Sequence, residues 1–262
     1  MKATVFLGGG RITGALLGGL RLAKYAGPLL VYDRHPEKLR QLKRCYGVSV
    51  EPDLAKAIQQ AELVIIAVRP GSVAQLLSEI GGLKRPLCAV SLAAGVPLAE
   101  LRARLGPPVT WARAMPSPVC RSRHGLTAVV FDRSVSAPVR RQIKSLFSQL
   151  GQVVEIPESQ FDAFTVTYSA SHGYHAVATL AEAGRKLGLR RKIAFAAAAH
   201  ALADGILAWR EDGPSLEELL DEARTPGGIA ATVMDSTNRA GYRKAVQRGL
   251  AAGVARARKN RL

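Results

Sequence analysis

The feature that most constrains this chain is its opening stretch, where a β-rich apolar run ends directly in three consecutive glycines. Residues 3–7 form the run, residues 8–10 are the glycines, and an apolar-periodic segment begins at Ile12. This order predicts a strand, a tight turn and a helix. The first glycine suits the turn, and the last lets a pyrophosphate approach the positive end of the helix. The spacing is that of a dinucleotide-binding turn, with Thr13 where Gly or Ala is usual.

A second strand is predicted for residues 28–32, and it ends in an acid, Asp33. Asp33 lies 23 residues beyond Gly10, close to the distance of about 20 at which dinucleotide-binding folds place the acid that meets the adenosine ribose. An acid favours the free 2′-hydroxyl of NAD, whereas an arginine such as Arg34 favours the 2′-phosphate of NADP. The sequence therefore predicts NADP or NAD, with NADP slightly favoured. The alternative is that Asp33 is only a turn residue at the end of a strand.

Strands and helices alternate over the first 156 residues of the chain. Further strands are predicted at residues 48–50, 63–68, 87–92, 109–114, 126–131 and 153–156. The alternation predicts an α/β fold with a doubly wound sheet, in which ligands bind at the carboxyl ends of the strands. The turns expected to converge on that rim are Gly8–Gly10, Val68–Pro70, Ala93–Gly95 and Met115–Ser117.

Strand signals end at residue 156, and the rest of the chain has helical periodicity. Helices are predicted over residues 158–187 and 190–212, after a capping pair formed by Ser215 and Glu218, and from near Gly241 onwards. We therefore predict two domains. Residues 1–156 form a dinucleotide-binding domain, and residues 157–262 form an all-helical domain.

Composition narrows the choice of partners and compartment. No run of 18 or more apolar residues occurs, so neither a membrane span nor a membrane partner is predicted. The three cysteines are widely spaced and form no CxxC pair, which favours a cytoplasmic location. The net charge is +17, and residues 239–262 carry eight Lys or Arg and no acid. That segment has a single aromatic residue, Tyr242, so a solvated helix face is favoured over a nucleic-acid partner. A non-catalytic dinucleotide-binding or nucleic-acid-binding protein remains an alternative.

Five short motifs together resemble the pyrroline-5-carboxylate reductase family. In chain order they are Phe6–Gly10, Ala67–Pro70, Ser91–Gly95, Arg113–Pro116 and Thr225–Gly228. The resemblance spans almost the whole chain and implies an N-terminal Rossmann-like domain followed by an all-α dimerisation domain, in a homodimer or larger homo-oligomer. It also implies NAD(P)H-dependent reduction of a cyclic imine, 1-pyrroline-5-carboxylate to proline. The substrate would then lie between the nicotinamide of one subunit and helices of the C-terminal domains.

The resemblance and the glycine turn together give a set of candidate cofactor residues on the predicted rim. Contacts to the pyrophosphate are expected from Gly8, Gly9, Gly10, Arg11, Ile12 and Thr13. Asp33 or Arg34 would meet the adenosine ribose. The remaining contacts are expected from Ala67, Val68, Arg69, Pro70, Ala93, Ala94, Gly95, Met115 and Pro116. For Arg69, a solvated cation at the end of a strand is nearly as good an interpretation.

The chain departs from the family's motifs mainly where the resemblance implies the substrate. The family usually has Asn where this chain has Ser117, and two threonines where it has Ile229 and Ala230. In the family those threonines help to hold the substrate carboxylate; here backbone N–H groups would have to do so. The candidate substrate contacts are Ser171, His175, Gly227, Gly228, Ile229 and Ala230. The same hydride chemistry on a different imine or unsaturated intermediate of a specialised pathway is therefore an alternative.

Ser169 and His172 are the candidate catalytic residues. His172 and His175 are three residues apart, and hence on one helix face. A histidine there could protonate an imine, because a general acid with a pKa near neutral is the most effective. The alternatives are interface or surface histidines, and, for Ser169 and Ser171, small residues that permit helix packing. The histidine pair lacks a convincing third ligand, so no metal site is predicted.

Overall fold

Eight strands of the chain form one sheet in the computed structural model, which describes residues 2–261 apart from the side chains of residues 208, 211 and 212. The strands are β1 (Ala3–Leu7), β2 (Leu29–Tyr32), β3 (Ser49–Val50), β4 (Ala61–Ile66), β5 (Leu87–Ser91), β6 (Val109–Met115), β7 (Gly125–Phe131) and β8 (Gly151–Glu155). The ends of the two predicted domains, Met1 and Leu262, lie outside the described residues.

The strand order is β3-β2-β1-β4-β5-β6-β7-β8, and neighbouring strands from β3 through β6 are parallel. The chain moves from β1 outwards to β3 and then returns to β4 on the other side of β1. The order of the strands therefore reverses between β1 and β4, which is where such sheets form a ligand crevice. β7 is antiparallel to β6, because only a short 3₁₀ segment, Pro118–Ser122, joins them and a parallel crossover needs a longer connection. The predicted doubly wound sheet is confirmed, with this one antiparallel step.

Helices cover both faces of this sheet. They are α1 (Arg11–Leu22), α2 (Pro36–Tyr46), α3 (Leu54–Gln60), α4 (Val73–Ile80), α5 (Leu98–Arg104), α6 (Ala137–Ser148) and α7 (Phe161–Thr167). Successive strand residues enter opposite buried clusters: Val5 and Val64 belong to one, Phe6 and Ile65 to the other. Burial on both faces explains why the central strands are continuous apolar runs.

The remaining helices are α8 (Ala170–Lys186), α9 (Arg191–Asp212), α10 (Leu216–Glu222), α11 (Ile229–Arg239) and α12 (Tyr242–Arg258). The predicted capping pair is confirmed, since Ser215 and Glu218 bond each other's backbone N–H at the start of α10. Among the residues described, none of the helices combines the length and apolarity that crossing a bilayer requires.

The chain divides into two compact units. The sheet unit comprises residues 2–168 and 252–261, and the helical unit comprises residues 169–251. The sheet unit thus continues 12 residues past the predicted boundary at residue 156 and also includes the last turns of α12. The boundary predicted from the loss of strand signals marks the end of β8 instead.

A short interruption divides the helical run that the sequence predicts over residues 158–187. α7 ends at Thr167, Tyr168 leaves the helical conformation with φ −88° and ψ 70°, and α8 begins at Ala170. The Tyr168 hydroxyl accepts a hydrogen bond of 2.7 Å from the backbone N–H of Leu126. The prediction of one uninterrupted helix was wrong, because this contact with β7 is tertiary and leaves no trace in helical periodicity.

Candidate functional site

A cleft of about 1240 Å³ lies at the switch point of the sheet, beside the carboxyl ends of β1, β2 and β4. Ten of the predicted cofactor residues line it: Gly8, Gly9, Gly10, Arg11, Ile12, Asp33, Arg34, Ala67, Val68 and Arg69. Pockets for drug-sized ligands have volumes of about 300–1,000 Å³, so this cleft is large enough for an extended ligand. Residues from three separate strand ends therefore meet around one elongated space.

The glycine turn forms the floor of the cleft. Gly8 has φ +111°, and a Cβ at that position would lie 2.8 Å from the carbonyl oxygen of Ala67. Both constraints exclude side chains larger than that of glycine. At Gly10, by contrast, a Cβ would have no neighbour within 4 Å, because the space above it belongs to the cleft. α1 begins at Arg11 without a side-chain cap, which leaves the first N–H groups and the positive end of the helix available to an anion.

Thr13 occupies the third position of the glycine motif and stabilises the turn from its buried side. Its side chain is fully buried, and its hydroxyl donates a hydrogen bond to the carbonyl oxygen of Gly8. The hydroxyl is thus committed to the protein backbone. This contact explains how a threonine fits where the motif usually has Gly or Ala.

Asp33 is 7% exposed and links the glycine turn to the end of β2. One carboxylate oxygen accepts a hydrogen bond of 2.7 Å from the backbone N–H of Gly9, and the other accepts bonds of 2.9 and 2.7 Å from the backbone and ring nitrogens of His35. Burial alone would raise the pKa of Asp33. The hydrogen bonds from Gly9 and His35, together with the charge of Lys38, outweigh burial and lower that pKa below its ordinary value.

Basic groups surround this carboxylate at the edge of the cleft. Arg34, His35 and Lys38 all line the cleft, and the Lys38 Nζ lies 3.7 Å from Asp33. The Arg34 side chain is exposed. The carboxylate suits the free 2′-hydroxyl of NAD and the exposed cations suit the 2′-phosphate of NADP, so this edge of the cleft carries both signals.

Several cleft residues are not predicted by the sequence reasoning. They are Gly14, Ala15, Tyr32, His35, Lys38, Gln41, Leu42, Cys45, Tyr46, Ser72, Leu76, Pro118 and Arg121. The position of Lys38 in the sequence could have identified it as a cleft residue, since it lies in the first turn of the helix that follows Asp33. Nothing in the sequence around Arg121 indicates a place in the cleft. Its Nη2 donates to the Tyr46 hydroxyl at 2.7 Å only because the 3₁₀ segment packs on α1.

The other predicted cofactor residues lie at the same edge of the sheet, outside the lining of this cleft. They are Pro70 after β4, Ala93, Ala94 and Gly95 after β5, and Met115 and Pro116 at the end of β6. Because β4, β5 and β6 are parallel neighbours, these turns follow one another along the rim, as the sequence predicts.

The candidate catalytic residues lie in the helical unit, at the beginning of α8. Ser169 is the N-cap of this helix: its hydroxyl accepts from the backbone N–H of Ser171 and lies 2.7 Å from the Ser171 hydroxyl. His172 and His175 are exposed on the first turns of the same helix. The four side chains are therefore close in sequence, polar and accessible within this unit.

The second substrate segment is the turn before α11. Gly227 has φ +72°, Gly228 donates its N–H to the Thr225 carbonyl at 2.8 Å, and the Ile229 side chain is 85% exposed. Gly228 provides no side-chain cap, so the N–H groups at the start of this 11-residue helix are open to an anion. Within the part of the chain that the structure describes, no cluster of three or more His, Cys, Asp or Glu is arranged to hold a metal ion.

Comparisons with known proteins give one family match in the N-terminal part of the chain and another in the C-terminal part. Residues 4–95 match the family described as NADP oxidoreductase, coenzyme F420-dependent, and residues 158–260 match the family described as pyrroline-5-carboxylate reductase dimerisation. A pyrroline-5-carboxylate reductase of Corynebacterium melassecola is 31% identical over 258 residues, which cover 95% of this chain and 94% of the relative.

Solved structures show the same fold. A pyrroline-5-carboxylate reductase from Coxiella burnetii superimposes with a TM-score of 0.88 at 22% identity, covering 100% of this chain and 99% of that one. The Plasmodium falciparum pyrroline carboxylate reductase, solved with NADP bound, gives a TM-score of 0.87 at 19% identity, covering 99% and 98%.

The doubly wound sheet, the glycine turn and the helical dimerisation domain define a dinucleotide-dependent oxidoreductase. Within that class, the chain belongs to the pyrroline-5-carboxylate reductase family.

Proposed function

We propose that this protein reduces the ring C=N bond of 1-pyrroline-5-carboxylate to give proline, with NADPH as the preferred reductant and NADH as the alternative. The observation that carries the proposal is the uncapped, glycine-lined start of α1 at the head of the cleft, in a chain that is 31% identical over nearly its full length to a pyrroline-5-carboxylate reductase. When bound, the nicotinamide supplies a hydride from its C4 atom.

The residues of the sheet unit would bind and orient this cofactor. The N–H groups at the start of α1 are proposed to hold the pyrophosphate, and Arg34 and Lys38 to meet the 2′-phosphate beside Asp33. Gly10, whose absent side chain leaves open space, would let the cofactor approach the backbone at the start of α1. NADPH is preferred in this proposal because both cations line the cleft within reach of the position expected for the ribose.

The residues of the helical unit would bind the imine. The N–H groups of Ile229 and Ala230 are proposed to hold the substrate carboxylate, since the start of α11 carries no side-chain cap. Ser169 and His172 are proposed to donate hydrogen bonds near the ring nitrogen, with Ser171 and His175 beside them. A pyrroline imine is basic enough to arrive protonated, so little general acid catalysis is required.

A second candidate is the same reduction on a different cyclic imine. The observation that favours it is Ile229, whose apolar side chain is 85% exposed at the position where the resemblance implies a carboxylate-binding threonine. An acceptor with a smaller or absent acidic group would need fewer donors at this turn.

We also propose that the chain acts in the cytoplasm as a homodimer or larger homo-oligomer. Its cysteines are all free thiols, which supports a reducing compartment. The match of residues 158–260 to a dimerisation family supports assembly with further copies of the chain.

The test is a set of initial rates of NADPH and NADH oxidation with pyrroline-5-carboxylate and a panel of other cyclic imines. Turnover of pyrroline-5-carboxylate with a higher kcat/KM than the other imines supports the proposal. Oxidation only with a different imine replaces it by the second candidate, and no oxidation with any imine removes both.

A further inference from the structure

The turn that follows β5, residues 92–97, makes contacts that its predicted role at the cofactor does not require. Gly95 has φ +79°, and a Cβ at that position would lie 1.9 Å from the carbonyl oxygen of Ala257. Ala257, near the end of α12, is 6% exposed. The carbonyl of the penultimate helical residue therefore packs directly against the glycine, which both the backbone conformation and the close contact require at this position.

Asn260 extends this contact by one hydrogen bond. Its side-chain amide donates to the carbonyl oxygen of Ala94 at 3.3 Å, while its own backbone N–H donates to the carbonyl of Ala257 at 2.9 Å. The Ala257 carbonyl thus fixes both the turn that ends α12 and the position of Gly95. All four residues belong to the sheet unit.

The other end of the same turn is held by Glu158. One oxygen of Glu158 accepts from the backbone N–H of Leu98 at 3.2 Å and from the Arg113 guanidinium at 2.6 Å. Arg113 is 2% exposed and stacks on the ring of Phe161 at 3.9 Å. The turn after β5 is therefore fixed at both ends by residues that are distant in sequence.

We propose that the tail contacts made by Ala257 and Asn260 position the turn after β5 for hydride transfer and that Asn260 is a positioning residue. The inference rests on the proposed function and takes Ala93, Ala94 and Gly95, which the sequence predicts to contact the cofactor, to lie on its nicotinamide side. Leu92 donates its N–H to the Ile66 carbonyl at 3.0 Å, so this turn begins next to the one after β4. A misplacement of about 1 Å at a reacting centre can cost about 100-fold in rate.

The expected effect is on kcat rather than on cofactor affinity, because the groups proposed to hold the adenosine and pyrophosphate lie at the start of α1, just after β2 and in the first turn of α2. In Asn260→Ala the loss of one hydrogen bond lowers kcat by about 3- to 10-fold and leaves the KM for NADPH within a factor of about two. The matched control is Lys259→Ala, which removes an exposed side chain from the adjacent position and leaves kcat unchanged.

Asn260→Asp separates a positioning role from a general loss of packing. The introduced carboxylate has nearly the same shape, but it cannot donate to the Ala94 carbonyl while it is ionised. Its kcat relative to wild type is therefore lowest at pH 8 and rises as the pH falls, because the protonated carboxyl regains a donor. A variant that had merely lost packing would show a constant ratio.

Hydrogen exchange of the amides of residues 93–96 gives a readout that is independent of turnover. We expect these amides to exchange about 3- to 10-fold faster in Asn260→Ala than in wild type and Lys259→Ala. Unchanged exchange overturns the inference, and so does faster exchange with unchanged kcat, since the contact would then be structural only. If wild type fails to reduce pyrroline-5-carboxylate, the proposed function fails, whereas the exchange result still decides whether the tail holds the turn.

Discussion

The two units of this chain have very different interiors. The sheet unit buries two large apolar clusters on opposite faces of its sheet. Large side chains in these clusters, such as Trp111 and Phe6, are almost completely shielded from solvent. In the helical unit, the buried cluster among the described residues consists of three alanines, Ala181, Ala194 and Ala198.

The apolar side chains of the helical unit are instead on its surface. Leu207, Val233 and Ile229 are 57%, 56% and 85% exposed, and Trp209 is 37% exposed. A domain that leaves this much apolar surface uncovered gains stability when another surface covers it. The difference teaches that the sheet unit builds its cleft from its own residues, whereas the helical unit leaves its larger apolar side chains uncovered within its own fold, which favours the proposed assembly.

Gly10→Val is the variant with the largest expected effect, and it tests whether the cleft of the sheet unit binds the cofactor. A Cβ at this position would have no neighbouring atom within 4 Å, so we expect the fold and the melting temperature to be retained. The branched side chain fills the space over the helix start and removes charge-assisted hydrogen bonds to the pyrophosphate. We expect the Kd for NADPH, measured by fluorescence titration, to rise about 100-fold or more. Gly82→Val, at an exposed glycine with equal free space, serves as control. An unchanged Kd would show that the cofactor does not bind at this turn.

The dependence of the helical unit on assembly is tested by the double variant Leu207→Glu and Val233→Glu. Burial of an unpaired neutral polar group costs about 2–7 kcal/mol and burial of an unpaired charge costs more, so these glutamates oppose a partner surface that must cover them. Light scattering is expected to show a smaller species than wild type at micromolar concentration. Leu22→Glu places the same charge on α1 at a residue that is 61% exposed in the sheet unit, and its mass should match wild type. Equal masses for all variants would contradict the comparison.

A smaller effect is expected at the turn before α11, where the helical unit carries its proposed carboxylate site. Ile229→Thr restores a hydroxyl beside the open N–H groups of the helix start. A hydrogen bond to a charged group contributes about 1.5 kcal/mol or more, so the KM for pyrroline-5-carboxylate should fall about 10-fold. Ile206→Thr makes the same replacement on α9, at a residue that is 52% exposed, and should leave the KM unchanged. A higher or equal KM in Ile229→Thr would favour a substrate without a carboxylate at this turn.

The smallest effect concerns pH and Asp33. Since the hydrogen bonds from Gly9 and His35 lower the folded-state pKa of this carboxyl, its contribution to stability is fully present above the ordinary pKa near 4 and is lost as the pH falls below that value. The free energy of unfolding of Asp33→Asn should lie about 1–3 kcal/mol below wild type at pH 7, with a gap that narrows below pH 4. Urea titrations of wild type and Asp33→Asn measure this difference in the free energy of unfolding. Glu37→Gln, at an exposed residue, is the control and should unfold with the same free energy as wild type. A difference in the free energy of unfolding that did not change with pH would refute the stabilising role of the ionised Asp33 carboxylate.

How much the sequence could predict depended on how local each signal was. The glycine turn and Asp33 were predictable because residue spacing alone places them at the ends of β1 and β2. The parallel strands were predictable from their continuous apolar runs. By contrast, Arg121 enters the cleft, and Tyr168 interrupts a helix, through single tertiary hydrogen bonds. Such contacts depend on the packed chain and leave no periodic pattern.

The helical unit shows the same limit in another form. The sequence correctly predicts helices and the capping pair at Ser215, since both are local. It also predicts a boundary at residue 156, because strand signals end there. The return of residues 252–261 to the sheet unit has no local signature. Ala257 and Asn260 are recognisable only once the position of Gly95 is known.

The discontinuity of the sheet unit has a consequence for how the protein is made. All eight strands leave the ribosome before the end of α12, and chains emerge at about 5–20 residues per second. The turn after β5 must therefore remain incompletely fixed for several seconds while the helical segments follow. The nascent protein acquires its sheet early, and the rim of that sheet becomes rigid only after Ala257 and Asn260 have been synthesised.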